Sequence, residues 1–272
     1  VMQVDYLIVG QGIAGTMLGW WLRKAGCTFH YFAPHKENDA SHQAGAILNP
    51  VTGRKMIKSW RVDELIPFAA DTYREMEQAL GIECLKQIDI CKFFANEADQ
   101  QFFEKARQKG TAMGFMQPLP EAFEEYFHTE LGGVIITGTW HVKSWVLVDA
   151  WRERLRADKQ LTEEVFDYEA LQLQGDKVTY DGIIAKQVIF AEGPGLLQNP
   201  WFNWLPLRPA KGERMVIEVP DLPETYMWKR TVYLIPLGGQ QFYVGSTNAW
   251  QWAHDRASDT GYEELTKKLD KA

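Results

Sequence analysis

The segment Val4-Asp5-Tyr6-Leu7-Ile8-Val9 is a short apolar run rich in β-branched residues, and it ends directly in Gly10-Gln11-Gly12-Ile13-Ala14-Gly15. A run of this kind reads as a strand covered on both faces. Residues 16–25 then place Met17, Leu18, Trp21 and Leu22 near helical spacing and close with Arg23-Lys24 before Gly26, the usual signals for a helix end. Residues 28–32 read as a second strand, completing a βαβ unit. In such a loop the first glycine permits the tight turn, the second admits a pyrophosphate close to the backbone, and the third lets the helix pack on the strand. The helix N-terminus presents free N–H groups and a partial positive charge to the phosphates. The pattern therefore points to a dinucleotide. An acid roughly twenty residues on normally accepts the ribose hydroxyls. Here the second strand ends in Ala33-Pro34, with Glu37 and Asp39 beyond the proline. His35 and Lys36 leave open a contact to a 2′-phosphate, hence NADPH, or a plain solvated loop.

Composition narrows the class. Of 272 residues, 46% are hydrophobic and 24% charged, the balance of a globular chain. The net charge of −7 gives a surface that repels phosphate backbones, which argues against nucleic acid as the main partner. Uncharged runs at 6–22 and 231–254 are broken by glycines, a proline and side-chain amides, so neither offers the continuous apolar surface of a membrane span. The cysteines (Cys27, Cys84 and Cys91) are odd in number, there is no Asn-x-Ser/Thr acceptor, and no basic leader precedes the first strand. A reduced, cytoplasmic compartment is the expectation. The histidines show no metal-binding spacing, and Cys84 and Cys91 stand too far apart for a zinc knuckle, so no metal is expected. Neither a Gly-x-Ser-x-Gly elbow nor a P-loop occurs.

Residues 40–50 are a run of mostly small side chains before a helical stretch at Val62–Leu80. Such a run either lets backbone amides line a ligand or serves as a connecting loop. A helix is entered around Ser144 and includes 151–155; segments 165–173 and 177–180 read as strands. Val188-Ile189-Phe190 reads as a buried strand leading into Ala191-Glu192-Gly193. Then follow Leu207-Arg208-Pro209-Ala210-Lys211-Gly212-Glu213, a strand at 215–219, and a hairpin of 232–236 and 242–247 turning at Gly238-Gly239. Arg152, Arg154 and Arg156 form a basic strip whose helical spacing suits a solvated surface. Trp201, Trp204, Trp228, Trp250 and Trp252 are either core packing or an aromatic wall against a planar or cationic ligand. Asp89, Glu192, Arg208 and Lys211 are charged residues near these landmarks and carry no catalytic assignment.

The order of these landmarks resembles that of FAD-dependent oxidoreductases of the D-amino-acid oxidase superfamily, in the branch of glycine oxidase and sarcosine oxidase. It is also similar to the flavin domain of a bifunctional enzyme that modifies a tRNA wobble uridine. The resemblance covers nearly the whole chain and implies an α/β fold: a doubly wound, Rossmann-like FAD-binding domain interleaved with a mainly antiparallel β substrate domain. It places the FAD-binding domain at 1–84 and 142–204, the substrate domain at 85–141 and 205–252, and the start of a return helix at 253–272. Carried over by position, Gly10, Gly12, Ile13, Ala14 and Gly15 would hold the FAD pyrophosphate. Ser41, Gln43, Ala44 and Gly45 would run beside the phosphates and flavin, the backbone near Tyr168 would meet the adenine side, and Ala191 and Gly193 would pass close to the cofactor. Tyr233 would contact the substrate.

Two departures stand out. Ala33 replaces the ribose-binding acid. The family continues past its hairpin and return helix to a Gly-x-Arg-Pro segment whose arginine pairs with the substrate carboxylate, whereas this chain stops at Lys271-Ala272. The expectation is a piece of a longer protein. The implied activity is oxidation of a small amine or amino acid by hydride transfer to FAD, with oxygen as electron acceptor. The alternatives are a tRNA wobble-uridine enzyme and a nucleotide-binding protein without turnover. Substrate identity and oligomeric state are not readable from these residues.

Overall fold

The computed structural model describes residues 1–36, 38–119 and 123–272. They form two compact units, Val1–Ala44 with Glu75–Cys84 and Ser144–Pro209, and Gly45–Arg74 with Leu85–Lys143 and Ala210–Ala272. Residues 45–74, which the sequence reading assigns to the first domain, thus count with the second. The physical reason is local: Ile47–Leu48 pairs with Trp140–Val142, and Val51 and Met56 bury their side chains among Ile90, Val134 and Ile235.

In the first unit a six-stranded sheet has the order Leu161–Thr162, Phe29–Phe32, Met2–Val9, Ile183–Phe190, Lys177–Tyr180, Gln172–Gln174. The first four strands are parallel, and the last two close the sheet as an antiparallel meander. Leu7, Ile8 and Val9 are buried because elements cover both faces at that point. Leu7, Val9 and Phe32 pack against Phe166, Val178 and Tyr180. Helices Ile13–Lys24 and Ser144–Ala157 meet through the edge-on rings of Trp20 and Trp151, with centroids 6.1 Å apart. The expected strand at 165–173 forms only in part. Asp167 accepts from the Glu169 amide at 3.0 Å and caps a single 3₁₀ turn, Tyr168–Ala170, before the strand Gln172–Gln174. A short acceptor at that position offers the backbone an alternative to the ladder.

The second unit is built on a seven-stranded sheet ordered Arg214–Glu218, Gln241–Gly245, Tyr233–Gly238, Met227–Lys229, Ile90–Phe93, Gly133–Ile136, Met116–Pro118. All pairings are antiparallel except that of Met227–Lys229 with Ile90–Phe93. Alternate residues serve opposite faces, as the pleat requires. Ile90, Val134, Ile136, Met227, Ile235 and Tyr243 make one core. Cys91, Phe93, Ile135, Trp228, Leu234 and Phe242 make the other, closed by Leu265 of helix Asp259–Leu269. Burial pushes the Cys84 and Cys91 thiols up to about 12, so both act as small apolar side chains. Among the described residues no helix is long and apolar enough to cross a membrane.

Trp228 is core, and Trp201 stacks on Phe190 with centroids 5.6 Å apart. Trp204 and Trp250 are exposed.

Candidate cofactor-binding and substrate sites

The first strand hands over to the glycine turn through two fixed bonds. The Gly10 amide donates to Phe32 O at 3.0 Å, and the Ala191 amide donates to Val9 O at 2.7 Å. These bonds press the turn against the end of strand Ile183–Phe190. Gly10 has φ +97°, and a Cβ there would overlap the Ala191 carbonyl. A Cβ on Gly15 would overlap the Gly10 carbonyl, so the helix sits on the turn at backbone distance. Gly12 is the N-cap of helix Ile13–Lys24, with no capping side chain and no acid in the first turn. The Ile13 amide is satisfied by Ser41 Oγ at 2.9 Å, and among the described residues no side-chain acceptor bonds the amides of Ala14 or Gly15. This is a backbone cradle with the dipole and donors for an anion.

A buried polar clamp holds the cradle from behind. Gln11 Nε2 donates to Thr16 Oγ1 at 3.0 Å and to Val148 O at 2.9 Å, and its Oε1 accepts from Arg152 Nη1 at 2.8 Å. Arg152 Nη2 donates to Ala33 O at 2.7 Å and to Glu163 Oε1 at 2.8 Å. Guanidinium donors from Arg156 and Arg152 hold the Glu163 carboxyl down to about 2. Arg152 is 5% exposed, which corrects its place in a solvated basic strip: it turns inward because only a five-donor fork serves Gln11, Ala33 and Glu163 together. Arg154 pairs with Asp158, and Arg156 with Glu163 and Glu153. Ala33 thus offers a carbonyl already engaged by a cation, with the Glu163 carboxylate, just past strand Leu161–Thr162, beside it. His35 and Lys36 are exposed, and Glu37 lies outside the described residues.

The short helix Ala40–Gln43 presents Ser41 to the cradle. Its His42 ring bonds Asp39 Oδ1 at 2.8 Å and Asp149 Oδ1 at 2.9 Å. Burial works against the charged ring, but the two carboxylates win and raise its pKa. Ser144 Oγ donates to Ser41 O at 2.6 Å. Ala44 is the C-cap of this helix.

After Ala191, Gly193 opens a 3₁₀ turn with φ +55°. Glu192 between them accepts from the Tyr168 phenol and from Asn199 Nδ2, the latter at 2.9 Å. Burial, then the Glu192 charge, push the Tyr168 pKa up, so the phenol stays a donor. Asn199 Oδ1 accepts from the amides of Trp201 and Phe202. Sequence reasoning missed the roles of Gln11, Arg152 and Glu163, which depend on partners as far as 141 positions away, and that of Asn199, whose partner Glu192 lies 7 positions off. Glu192 alone carried a signal, through its place in the Ala-x-Gly segment.

Gly45 and Tyr233 belong to the second unit. A Cβ on Gly45 would come within 2.9 Å of Ile235 Cδ1 and 3.1 Å of Tyr243 Cε1. Burial raises the Tyr233 pKa, so its phenol is neutral.

The match to a family model with the description "FAD dependent oxidoreductase" runs over residues 5–272. The chain belongs to this family. A FAD-dependent oxidoreductase needs a seat for the dinucleotide's diphosphate, and the Gly10–Gly15 cradle fits one, since its three glycines put no Cβ between backbone and ligand and the helix has no capping side chain at Gly12. Among solved structures, glycine oxidase from Geobacillus kaustophilus matches 100% of this chain and 78% of its own, at 20% identity and TM-score 0.79. Iminodiacetate oxidase from Chelativorans sp. BNC1 matches 97% of this chain and 77% of its own, at 16% identity and TM-score 0.71. Dithionite-reduced L-alpha-glycerophosphate oxidase from Mycoplasma pneumoniae, with FAD bound, matches 98% and 78%, at 16% identity and TM-score 0.71. At these identities the likeness is one of fold: the FAD-dependent oxidoreductase has the family's α/β FAD-binding architecture together with its substrate sheet.

Proposed function

We propose that this FAD-dependent oxidoreductase oxidises a small amine or amino acid, with oxygen as the electron acceptor and hydrolysis of the imine product. The observation that carries the reading is the likeness in fold to glycine oxidase along the whole chain, sheet as well as cradle. The likeness to iminodiacetate oxidase supports it.

Bound FAD supplies a two-electron acceptor that takes a hydride at N5. The chain's residues bind and orient. Gly10, Gly12 and Gly15 admit the diphosphate to the backbone, and the amides of Ala14 and Gly15 donate to it. Ile13 and Ser41 tie the helix start to the segment with Gln43, Ala44 and Gly45, which lies along the cofactor in this reading. Ala191, Gly193 and the backbone at Tyr168 complete its surroundings. Tyr233, a neutral phenol, positions the substrate. A substrate that arrives as the neutral amine requires no protein base, so orientation and exclusion of water are the protein's share.

A tRNA-modifying enzyme needs a free basic face for phosphates, and the charges of Arg152, Arg154 and Arg156 are buried or ion-paired. A visible absorption spectrum of the purified protein tests the cofactor, and anaerobic addition of an amine panel tests the substrate class. Flavin bands bleached by at least one small amine are expected. A flavin that no amine reduces would overturn the proposal.

A further inference from the structure

The carboxyl ends of three neighbouring strands in the first unit stand side by side. The Gly10 amide, at the start of the cradle, donates to Phe32 O at 3.0 Å, and the Ala33 amide donates to Thr162 O at 3.0 Å. Leu161 and Thr162 lie in parallel register with Tyr31 and Phe32, so Glu163 stands one step beyond the ladder, level with Ala33. In an open parallel sheet a dinucleotide lies along these ends, and an acid closing the second strand accepts the ribose hydroxyls. Ala33 cannot do so: it has no polar side chain and is buried. Asp39 is engaged elsewhere, its Oδ1 accepting from the His42 amide and ring.

Glu163 has what that position lacks. Its side chain is 37% exposed although it pairs with the buried Arg152. Oε1 accepts from Arg152 Nε at 3.0 Å, Arg152 Nη2 at 2.8 Å and Arg156 Nη2 at 2.7 Å. Among the described residues Oε2 accepts only from Arg156 Nε, at 2.9 Å. A carboxylate oxygen takes about two donors, so Oε2 keeps a lone pair for a hydroxyl. Pairing with Arg152 uses Oε1 alone, so serving as counter-ion to that buried cation leaves this lone pair unspent. Arg152 also donates to Gln11 Oε1 at 2.8 Å, inside the glycine turn. One guanidinium therefore fixes the carboxylate and the diphosphate cradle relative to each other, as a site for one continuous ligand requires.

We infer that Glu163 takes the place of the acid missing at Ala33: from the neighbouring strand it accepts hydrogen bonds from the ribose hydroxyls of the cofactor's adenosine, and it excludes an adenosine carrying a 2′-phosphate. A fixed carboxylate attracts hydroxyl donors and repels a phosphate monoester, which decides against the contact that His35 and Lys36 left open. The inference stands apart from the oxidation reading, since it rests on strand register, the Arg152 bonds and the family's cofactor.

The test is calorimetric titration of the full chain, freed of flavin by dialysis, with three probes: FAD, FAD whose adenosine lacks both ribose hydroxyls, and FAD phosphorylated at the adenosine 2′-hydroxyl. The parent is expected to prefer FAD to the dideoxy form by about tenfold or more. In Glu163→Gln, which keeps the shape and removes the charge, that preference is expected to fall to about threefold or less. A merely structural role would weaken FAD and the dideoxy form equally and leave their ratio unchanged. Glu37→Gln, altering the other nearby acid in the sequence, is expected to keep the parent's ratio. Thermal unfolding confirms that each variant is folded. A ratio in Glu163→Gln equal to the parent's would overturn the inference, as would a parent that does not discriminate, a ratio that collapses in Glu37→Gln, or tighter binding of the 2′-phosphorylated form than of FAD. The two proposals fail separately. A ratio that depends on Glu163, with a flavin no amine reduces, upholds the ribose contact and ends the oxidation reading. Amines that bleach the flavin, with a ratio indifferent to Glu163, do the reverse.

Discussion

Arg152 Nη2 donates to the carbonyl oxygen of Ala33 at 2.7 Å, so the end of the second strand, where the family's ribose-binding acid is expected, carries an occupied carbonyl. The same nitrogen reaches Glu163, bringing a carboxylate from beyond strand Leu161–Thr162 to that spot. A cation thus ties together the strand end, the glycine turn through Gln11, and an acid that the linear sequence sets 130 positions from Ala33.

Removing that cation should be severe. Arg152→Met leaves Gln11 Oε1 and Ala33 O without their donor, and Glu163 without one of its partners. A buried acceptor left unpaired costs about 1–3 kcal/mol, which denaturant unfolding would read as a lower midpoint. Arg152→Lys should recover little, because one ammonium cannot serve three acceptors. A lysine variant as stable as the parent would refute the clamp.

Gly10→Ala should damage the cradle at its tightest point. The new methyl meets the Ala191 carbonyl in a backbone conformation, φ +97°, that side chains disfavour. The expected cost is about 2–4 kcal/mol, with a sharply lower flavin-to-protein ratio in the visible spectrum. A variant that keeps full flavin content would show that the turn has room to spare.

Lys229 makes stability depend on pH in a predictable direction. Its folded-state pKa, about 8, lies below the ordinary lysine value, so below about pH 8 the folded protein carries the full cost of a buried charge. Between there and the unfolded-state value the folded protein releases the proton first and the cost fades. A shift of this size corresponds to about 3 kcal/mol. Without added ligand, Lys229→Met should therefore melt above the parent at pH 7, and the gap should narrow by pH 10. A constant gap, read by calorimetry at the two pH values, would contradict this.

His42 works with the opposite sign. Asp149 and Asp39 raise its pKa above the ordinary imidazole value, and the charged ring anchors the helix that offers Ser41 to Ile13. This contribution is complete below about pH 6.5 and is lost as pH rises through the raised folded-state value. His42→Gln should flatten the pH dependence of unfolding in that window. An unchanged pH profile would mean that the two carboxylates contribute nothing through the ring.

Much of the architecture follows from local sequence. The run Val4–Val9 and the glycines after it define strand, turn and helix start, because an apolar β-branched run and residues lacking Cβ restrict the backbone over a few positions. The helix Val62–Leu80 and the hairpin around Gly238-Gly239 follow from period and turn chemistry in the same way. Helical spacing said that Arg152 lies on a helix but not that its side chain turns inward, since direction depends on what packs against the helix. Tertiary structure alone decided that Gln11, Ala33, Arg152 and Glu163 form one clamp, that Ile47, Val51 and Met56 pack into the core of the second sheet, and that Lys92 stands beside Lys229. Strand order and register bring distant residues together, and those depend on the whole chain burying its apolar faces at once, a condition that no local stretch of sequence contains.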